Sequence, residues 1–190
     1  MPAFELGFLT LGELFTSGKG SKSVPVTYSG NHPIQWTPEP QQVAFEPSAF
    51  GGEDVARVNL VMTATPETSD ILGELDEQMV TLVTENSGRI FGKTLTRIEV
   101  EQRFTSSVKF SEKGYQNTFK CKINLSGRGA IQCWDANRNK REPPTSWIQC
   151  KVQPKITLKN IWIMAKQWGI LYEAVNILVD EASEECPFDN

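Results

Sequence analysis

The sequence predicts a mainly β protein with some helix, an α+β chain. Its expected parts are a small five-stranded barrel, one amphipathic helix, an N-terminal extension and an acidic C-terminal tail. Three observations lead there. Beyond about residue 118, apolar and polar residues alternate at period two, as half-buried strands do. Residues 65–85 alone hold a sustained helical period. Residues 180–190 lose both patterns and carry five acids, too polar a stretch to join a core.

Residues 1–16 are apolar and punctuated by Glu, which suits a short helix or docking arm. Gly18-Lys19-Gly20-Ser21-Lys22-Ser23 has the composition of a flexible linker. It is not a phosphate loop: Gly12 and Gly18 are one position too far apart, and Gly20 stands where Ser or Thr would hold magnesium. Residues 24–28 read as a strand. Pro33, Pro38, Pro40 and Pro47 then favour extended edge structure.

Val55 to Ala64 reads as a strand, with Val55, Val58, Leu60 and Met62 among its apolar residues. Thr65 can cap the following helix and Pro66 fits its first turn. Ile71, Leu72, Leu75, Met79, Leu82 and Val83 form its apolar stripe, which should pack on a sheet; Asn86-Ser87-Gly88 ends it. Thr96-Arg97-Ile98-Glu99 matches a capping box and predicts a short helix to Phe104. Strands are expected at 119–125, 130–134 and 147–152. Two more, at 158–165 and 170–179, form a hairpin around Lys166-Gln167-Trp168-Gly169. Five short strands and a helix fit an OB-type barrel.

A chain of 190 residues at 39% hydrophobic content is one domain of ordinary size. The expected division is an arm and linker at 1–23, an OB-type domain at 24–179 and a tail at 180–190. No apolar run approaches a membrane span of about 18 residues, and Glu5 breaks the apolar run a signal peptide needs. The chain is therefore expected to be soluble and intracellular, with Asn124-Leu125-Ser126 unglycosylated. Cys121, Cys133, Cys150 and Cys186 are too widely spaced for a zinc knuckle, and three of them fall on strand faces expected to point inward. His32 stands alone in a Pro-flanked loop. With no metal cluster, phosphate loop or nucleophile–base pair, neither a cofactor nor an enzyme activity is expected.

Charge is strongly segregated. Residues 1–88 hold three cations against twelve acids, residues 89–166 hold sixteen cations against five acids, and residues 167–190 hold six acids and no cation. A basic middle calls for an anionic partner, nucleic acid first. Alternation sorts the strands by face. If Phe119, Cys121 and Ile123 point inward, Lys120 and Lys122 point outward. The same reasoning sends Trp134, Trp147, Lys151, Trp162, Lys166 and Tyr172 outward. It sends Glu173 inward, which signals a bulge or register change. Trp168 and the turn cations Arg138, Lys140 and Arg141 complete the candidate surface. Rings stack on unpaired bases and cations track phosphates, as single-stranded nucleic acid requires.

Three motifs carry a resemblance. Pro33-Ile34-Gln35-Trp36-Thr37-Pro38 is similar to an N-terminal stretch of the single-stranded-DNA-binding proteins of large nucleocytoplasmic DNA viruses. Tyr115-Gln116-Asn117-Thr118-Phe119-Lys120-Cys121-Lys122-Ile123 resembles one of their strands, with Gln116-Asn117 in place of prolines. Ile161-Trp162-Ile163-Met164-Ala165-Lys166-Gln167-Trp168-Gly169 resembles their terminal hairpin. The acidic tail with a near-terminal Phe is similar to that of the tailed-phage members, which share the OB fold. The resemblance implies coating of single-stranded DNA in replication, recombination and repair, in the infected host cell for a viral protein. It also implies recruitment of polymerase, helicase or primase through Asp180, Glu181, Glu184, Glu185, Phe188 and Asp189. Homo-oligomerisation stays open, and no membrane partner is expected. The alternative is a structural or scaffold protein, virion-associated or otherwise, whose basic strip contacts other chains.

Overall fold

The computed structural model describes residues 5–18, 20–28, 32–49, 56–111, 114–148, 150–165 and 167–180. Lys166, Cys186 and the tail residues Glu181, Glu184, Glu185, Phe188 and Asp189 lie outside the described residues.

After a single 3-10 turn at Leu6–Phe8, the chain forms β1 (Leu9–Leu11), β2 (Phe15–Thr16), β3 (Lys22–Tyr28) and β4 (Ile34–Trp36). The longer β5 (Gln41–Ser48) and β6 (Arg57–Thr63) follow. Helices α1 (Pro66–Glu85), α2 (Ser87–Phe91) and α3 (Arg97–Glu101) come next. Then come β7 (Phe104–Thr105), β8 (Val108–Lys109), β9 (Thr118–Asn124), β10 (Gln132–Trp134), β11 (Lys140–Arg141), β12 (Lys151–Met164) and β13 (Gln167–Asp180). The protein is mostly β with a few helices, as expected.

β12 and β13 organise the sheet. Each has fourteen residues, and they pair antiparallel from Lys151–Asp180 to Met164–Gln167. The two strands expected at 147–152 and 158–165 are thus mostly one strand that runs through Pro154, which keeps its place opposite Ile177. Met164 pairs directly with Gln167, so the turn is tight. Ala165 takes φ 49° there, the left-handed region that primed hairpin turns require. The other edge of β12 serves β3, β4 and β5 in turn. β5 pairs with β6, and β6 with β9 along seven residues. β9 meets β13 in parallel at one register pair, Lys122–Glu173. The pairings β12–β5–β6–β9–β13 therefore lead back to β12.

The inner residues follow the alternation. Val58, Leu60 and Met62 of β6, and Phe119, Cys121 and Ile123 of β9, are buried. They share one core with Leu72, Leu75, Met79 and Val83 of α1. Thr65 caps α1 as expected, its side chain accepting from the Thr68 amide at 3.3 Å, with Pro66 in the first turn. Ser87 and Gly88 open α2 rather than closing the helical region. The capping box at Thr96 and Glu99 is present. Its helix stops at Glu101 because Phe104 and Thr105 are drawn into β7 beside Trp168 and Gly169.

Cys121, Cys133 and Cys150 are buried free thiols. Burial pushes Cys121 up to about 12 and Cys133 up to about 11, so neither is a ready nucleophile. Among the described residues no helix is long and apolar enough to cross a membrane, and no group of His, Cys, Asp and Glu could hold a metal ion.

Candidate nucleic-acid interface

The outer face of the sheet is defined by the residues that alternate with the core. On β6 these are Arg57, Asn59, Val61 and Thr63, and on β9 they are Lys120, Lys122 and Asn124. The register aligns them in rows. Phe45 of β5 stands opposite Val61, and Val61 opposite Lys120. Phe45 is 61% exposed, an aromatic ring standing free on a strand. In the next row Ser48, Asn59, Lys122 and Glu173 follow each other across four strands. That row continues to Thr157 and Gln35, where the Gln35 Nε2 donates to the Thr157 Oγ1 at 3.0 Å.

The same face runs on along the hairpin. Asn160 lies between Pro25 and Leu171, and Trp162 between Ser23 and Gly169. Phe15 of β2, also exposed, stands opposite Ser23. Trp162 is half-buried because its ring lies against the Gly169 backbone; a Cβ at Gly169 would come within 2.6 Å of it. Glycine at this position lets a tryptophan lie flat across a strand. Between Trp162 and Phe15 in the register stands Ser23.

Lys120, Lys122 and Trp162 are thus brought onto one continuous face. Trp134, Arg138, Lys140 and Arg141 gather elsewhere, on the β10–β11 hairpin beside the far end of β13. Trp134 stands opposite both Lys140 and Leu178, and its Nε1 donates to the Asn176 Oδ1 at 3.0 Å. Arg138 sits in the turn with φ 63°, and the Asp135 carboxylate, which accepts from the Asn139 amide, closes that turn. Those hydrogen bonds hold the Asp135 carboxyl below its usual value. Lys151 is exposed at the same end, opposite Asp180.

Three ring residues expected on this surface are in the core instead. Trp168 is fully buried; its Nε1 donates to the Val100 carbonyl at 3.0 Å, and its ring packs on Phe104 with centroids 4.5 Å apart. Tyr172 is buried edge-on to Trp36 at 5.5 Å, its hydroxyl 2.9 Å from the Ser107 Oγ. Ser107 also donates to Asp76 on α1, which accepts from the Ser107 amide and the Ser106 Oγ at 2.9 Å each. Burial raises the Asp76 carboxyl and pushes the Tyr172 phenol up as well. Two register shifts, at Lys155/Ile156 and Leu158/Asn160, reset the alternation of the hairpin. They turn Tyr172 inward and Glu173 outward, so the awkward inward Glu173 is resolved by bulges.

Trp147 is the third. It is buried, and neither it nor Ile148 nor Cys150 lies in a strand, so alternation does not apply to them. The Glu46 carboxylate pins this segment by accepting from the Trp147 amide at 2.9 Å, the Ile148 amide at 3.1 Å and the Ser146 hydroxyl. These bonds hold Glu46 below the usual carboxylate range, the Ser146 bond foremost.

Sequence reasoning missed Arg57, Phe45 and Lys159. Arg57 shares the parity of Asn59 and Val61, so alternation could have found it. Phe45 was hidden by the flanking prolines. Lys159 is the extra residue at a bulge, which no periodicity marks. Tyr115 and Phe110, both well exposed near β8 and β9, were likewise left out of the surface.

No protein-family model matches this sequence, and no curated protein matches it. The fold is similar to solved structures of the single-stranded DNA-binding protein from bacteriophage Enc34. Against that protein in complex with ssDNA, the TM-score is 0.52 at 11% identity, over 84% of this chain and 92% of that one. Its C-terminal truncation gives 0.52 at 13% identity, over 90% and 96%. A further structure of it gives 0.50 at 14% identity, over 95% and 96%. At these identities the likeness establishes a fold shared with the Enc34 protein.

Proposed function

We propose that this chain binds single-stranded DNA on the outer sheet face and coats it during replication, recombination and repair, without enzymatic activity. The observation that carries this reading is one continuous face holding Arg57, Lys120, Lys122 and Lys159 together with Phe45 and Trp162. Rings on an open sheet accept bases, and cations between them meet phosphates. The pairing circuit is read as an OB-type barrel, whose second and third strands, here β6 and β9, form the usual oligonucleotide face. Residues 24–179 are read as the binding domain. Residues 180–190 are read as a tail that recruits polymerase, helicase or primase. The tail follows Asp180, which lies opposite Lys151, and a tethered acidic segment competes for cations at high effective concentration.

Fluorescence anisotropy with labelled oligo(dT) tests this reading. Phe45→Ala should weaken binding by about 1–3 kcal/mol for a stacked base. Lys120→Ala should weaken it less and flatten the log–log salt slope by about 0.7. Salt-independent binding, or full affinity in both variants, would place the strand elsewhere.

A further inference from the structure

Glu173 is an acid on the outer face, set among Arg57 of β6, Lys122 of β9 and Lys159 of β12. Its Oε1 lies 3.6 Å from the Arg57 Nη2 and its Oε2 lies 3.2 Å from the Lys159 Nζ. Lys122 stands opposite it in the β9–β13 register. Each carboxylate oxygen thus faces a different cation. The carboxylate is only 13% exposed, while Arg57 and Lys159 are 44% and 48% exposed. The anion lies low on the sheet and the cations rise beside it into solvent. Lys159 reaches this position because the bulge between Leu158 and Asn160 takes it out of the strand alternation.

A need for stability does not account for the arrangement. Ion pairs whose cations reach well into solvent contribute little, and Glu is a poor strand residue. Arg57 and Lys159 at one low-lying carboxylate, with Lys122 opposite in the register, do match the needs of a phosphodiester, whose single negative charge is shared by two oxygens. The site also lies on the face that carries Trp162, whose ring rests on Gly169, four residues before Glu173 on the same strand.

We propose that Arg57, Lys122 and Lys159 form a cradle for one phosphodiester of a single strand, and that Glu173 is a resident anion which the strand displaces. This rests on the single-strand reading above. In the free protein Glu173 neutralises part of the cradle and holds Arg57 and Lys159 in place. When a phosphate arrives, the two cations exchange one anion for another, and the net gain is smaller than two new contacts would give. Glu173 therefore sets affinity downward and keeps the strand exchangeable.

The test is oligo(dT) anisotropy over a potassium chloride series, with thermal unfolding recorded for each protein. Glu173→Gln keeps the shape and removes the charge. It should bind about fivefold more tightly at low salt, the scale of one unit-charge contact at about 4 Å in water. The gain should fade as salt screens the site. Arg57→Ala and Lys159→Ala should each weaken binding and flatten the salt slope by about 0.7. In the Arg57→Ala/Lys159→Ala background, Glu173→Gln should give less than a twofold gain, because the anion then has little to neutralise. Glu173→Thr, with a better strand former, serves as a second charge-free variant and should show the same gain. Wild-type binding with no gain in either variant overturns the cradle alone. A change in the preference between oligo(dC) and oligo(dT) on Glu173→Gln also overturns it, since the carboxylate would then be reading base amino groups. A wild-type protein that does not bind oligo(dT) at any salt overturns the single-strand reading itself.

Discussion

Gly169 is the position where a one-carbon change tests the aromatic platform most sharply. In Gly169→Ala the new Cβ would meet the Trp162 ring at 2.6, 2.8 and 3.0 Å, against about 3.5–4.0 Å for comfortable carbon contact. The ring must therefore move outward by about 1 Å. Overpacking of this kind costs about 1–3 kcal/mol. Replacing glycine also restricts the unfolded chain, which offsets about 0.4–1 kcal/mol. A net loss of about 0–2.6 kcal/mol is expected in urea denaturation. In a Trp162→Ala background the clash is gone, and the same Gly169→Ala change should be neutral or stabilising by up to about 1 kcal/mol. The double-mutant cycle should thus show a coupling of about 1–3 kcal/mol between two residues on neighbouring strands. The displaced ring should also bind oligo(dT) with altered affinity, measured by anisotropy on folded protein. Equal destabilisation by Gly169→Ala with and without Trp162 would refute the contact, and unchanged DNA affinity with the coupling intact would remove Trp162 from the binding face.

Trp168→Ala should cost about 3–5 kcal/mol in unfolding free energy, as loss of a buried ring does, yet leave DNA affinity per folded molecule unchanged. The Asp76 carboxyl is raised above 3.8 by burial, so the folded protein holds its proton more tightly than the unfolded chain. Its stabilising contribution is full below 3.8 and is lost as pH rises through the raised folded value; Asp76→Asn should flatten that part of the stability–pH profile measured by thermal unfolding. Removal of residues 181–190, which spares the Asp180–Lys151 pair, should raise oligo(dT) affinity at low salt and abolish pull-down of a replication partner, whereas Phe188→Ala should impair the pull-down alone.

Alternation read the inner and outer faces of β9 and β10 correctly, because each is a regular strand with one side in the core. The same rule placed Tyr172 on the wrong side. A bulge shifts the parity of everything beyond it, and no residue type announces where the bulge falls. Trp147 escaped for a different reason: its segment looks like a strand by pattern but is held by a carboxylate from a residue about a hundred positions earlier. Lys120 and Lys122 were legible as surface cations. Their convergence with Arg57 and Lys159 was not, since it depends on β9 and β12 both flanking β13. The long α1 helix, capped and striped by local residues alone, was legible almost to the residue.

The position of β12 late in the chain has a consequence for synthesis. β3, β4 and β5 all take partners on its far edge. At about 5–20 residues per second, roughly 6–20 s pass between the emergence of β5 and that of β12. Throughout that interval the early strands carry open edges suited to pairing with another chain. The hairpin itself closes in about 1–10 μs once both arms are out, so the wait, rather than the closure, sets the window in which a nascent chain is vulnerable. A ribosome that stalls before residue 151 leaves β3, β4 and β5 without the strand that covers that edge, the kind of open edge on which chains aggregate.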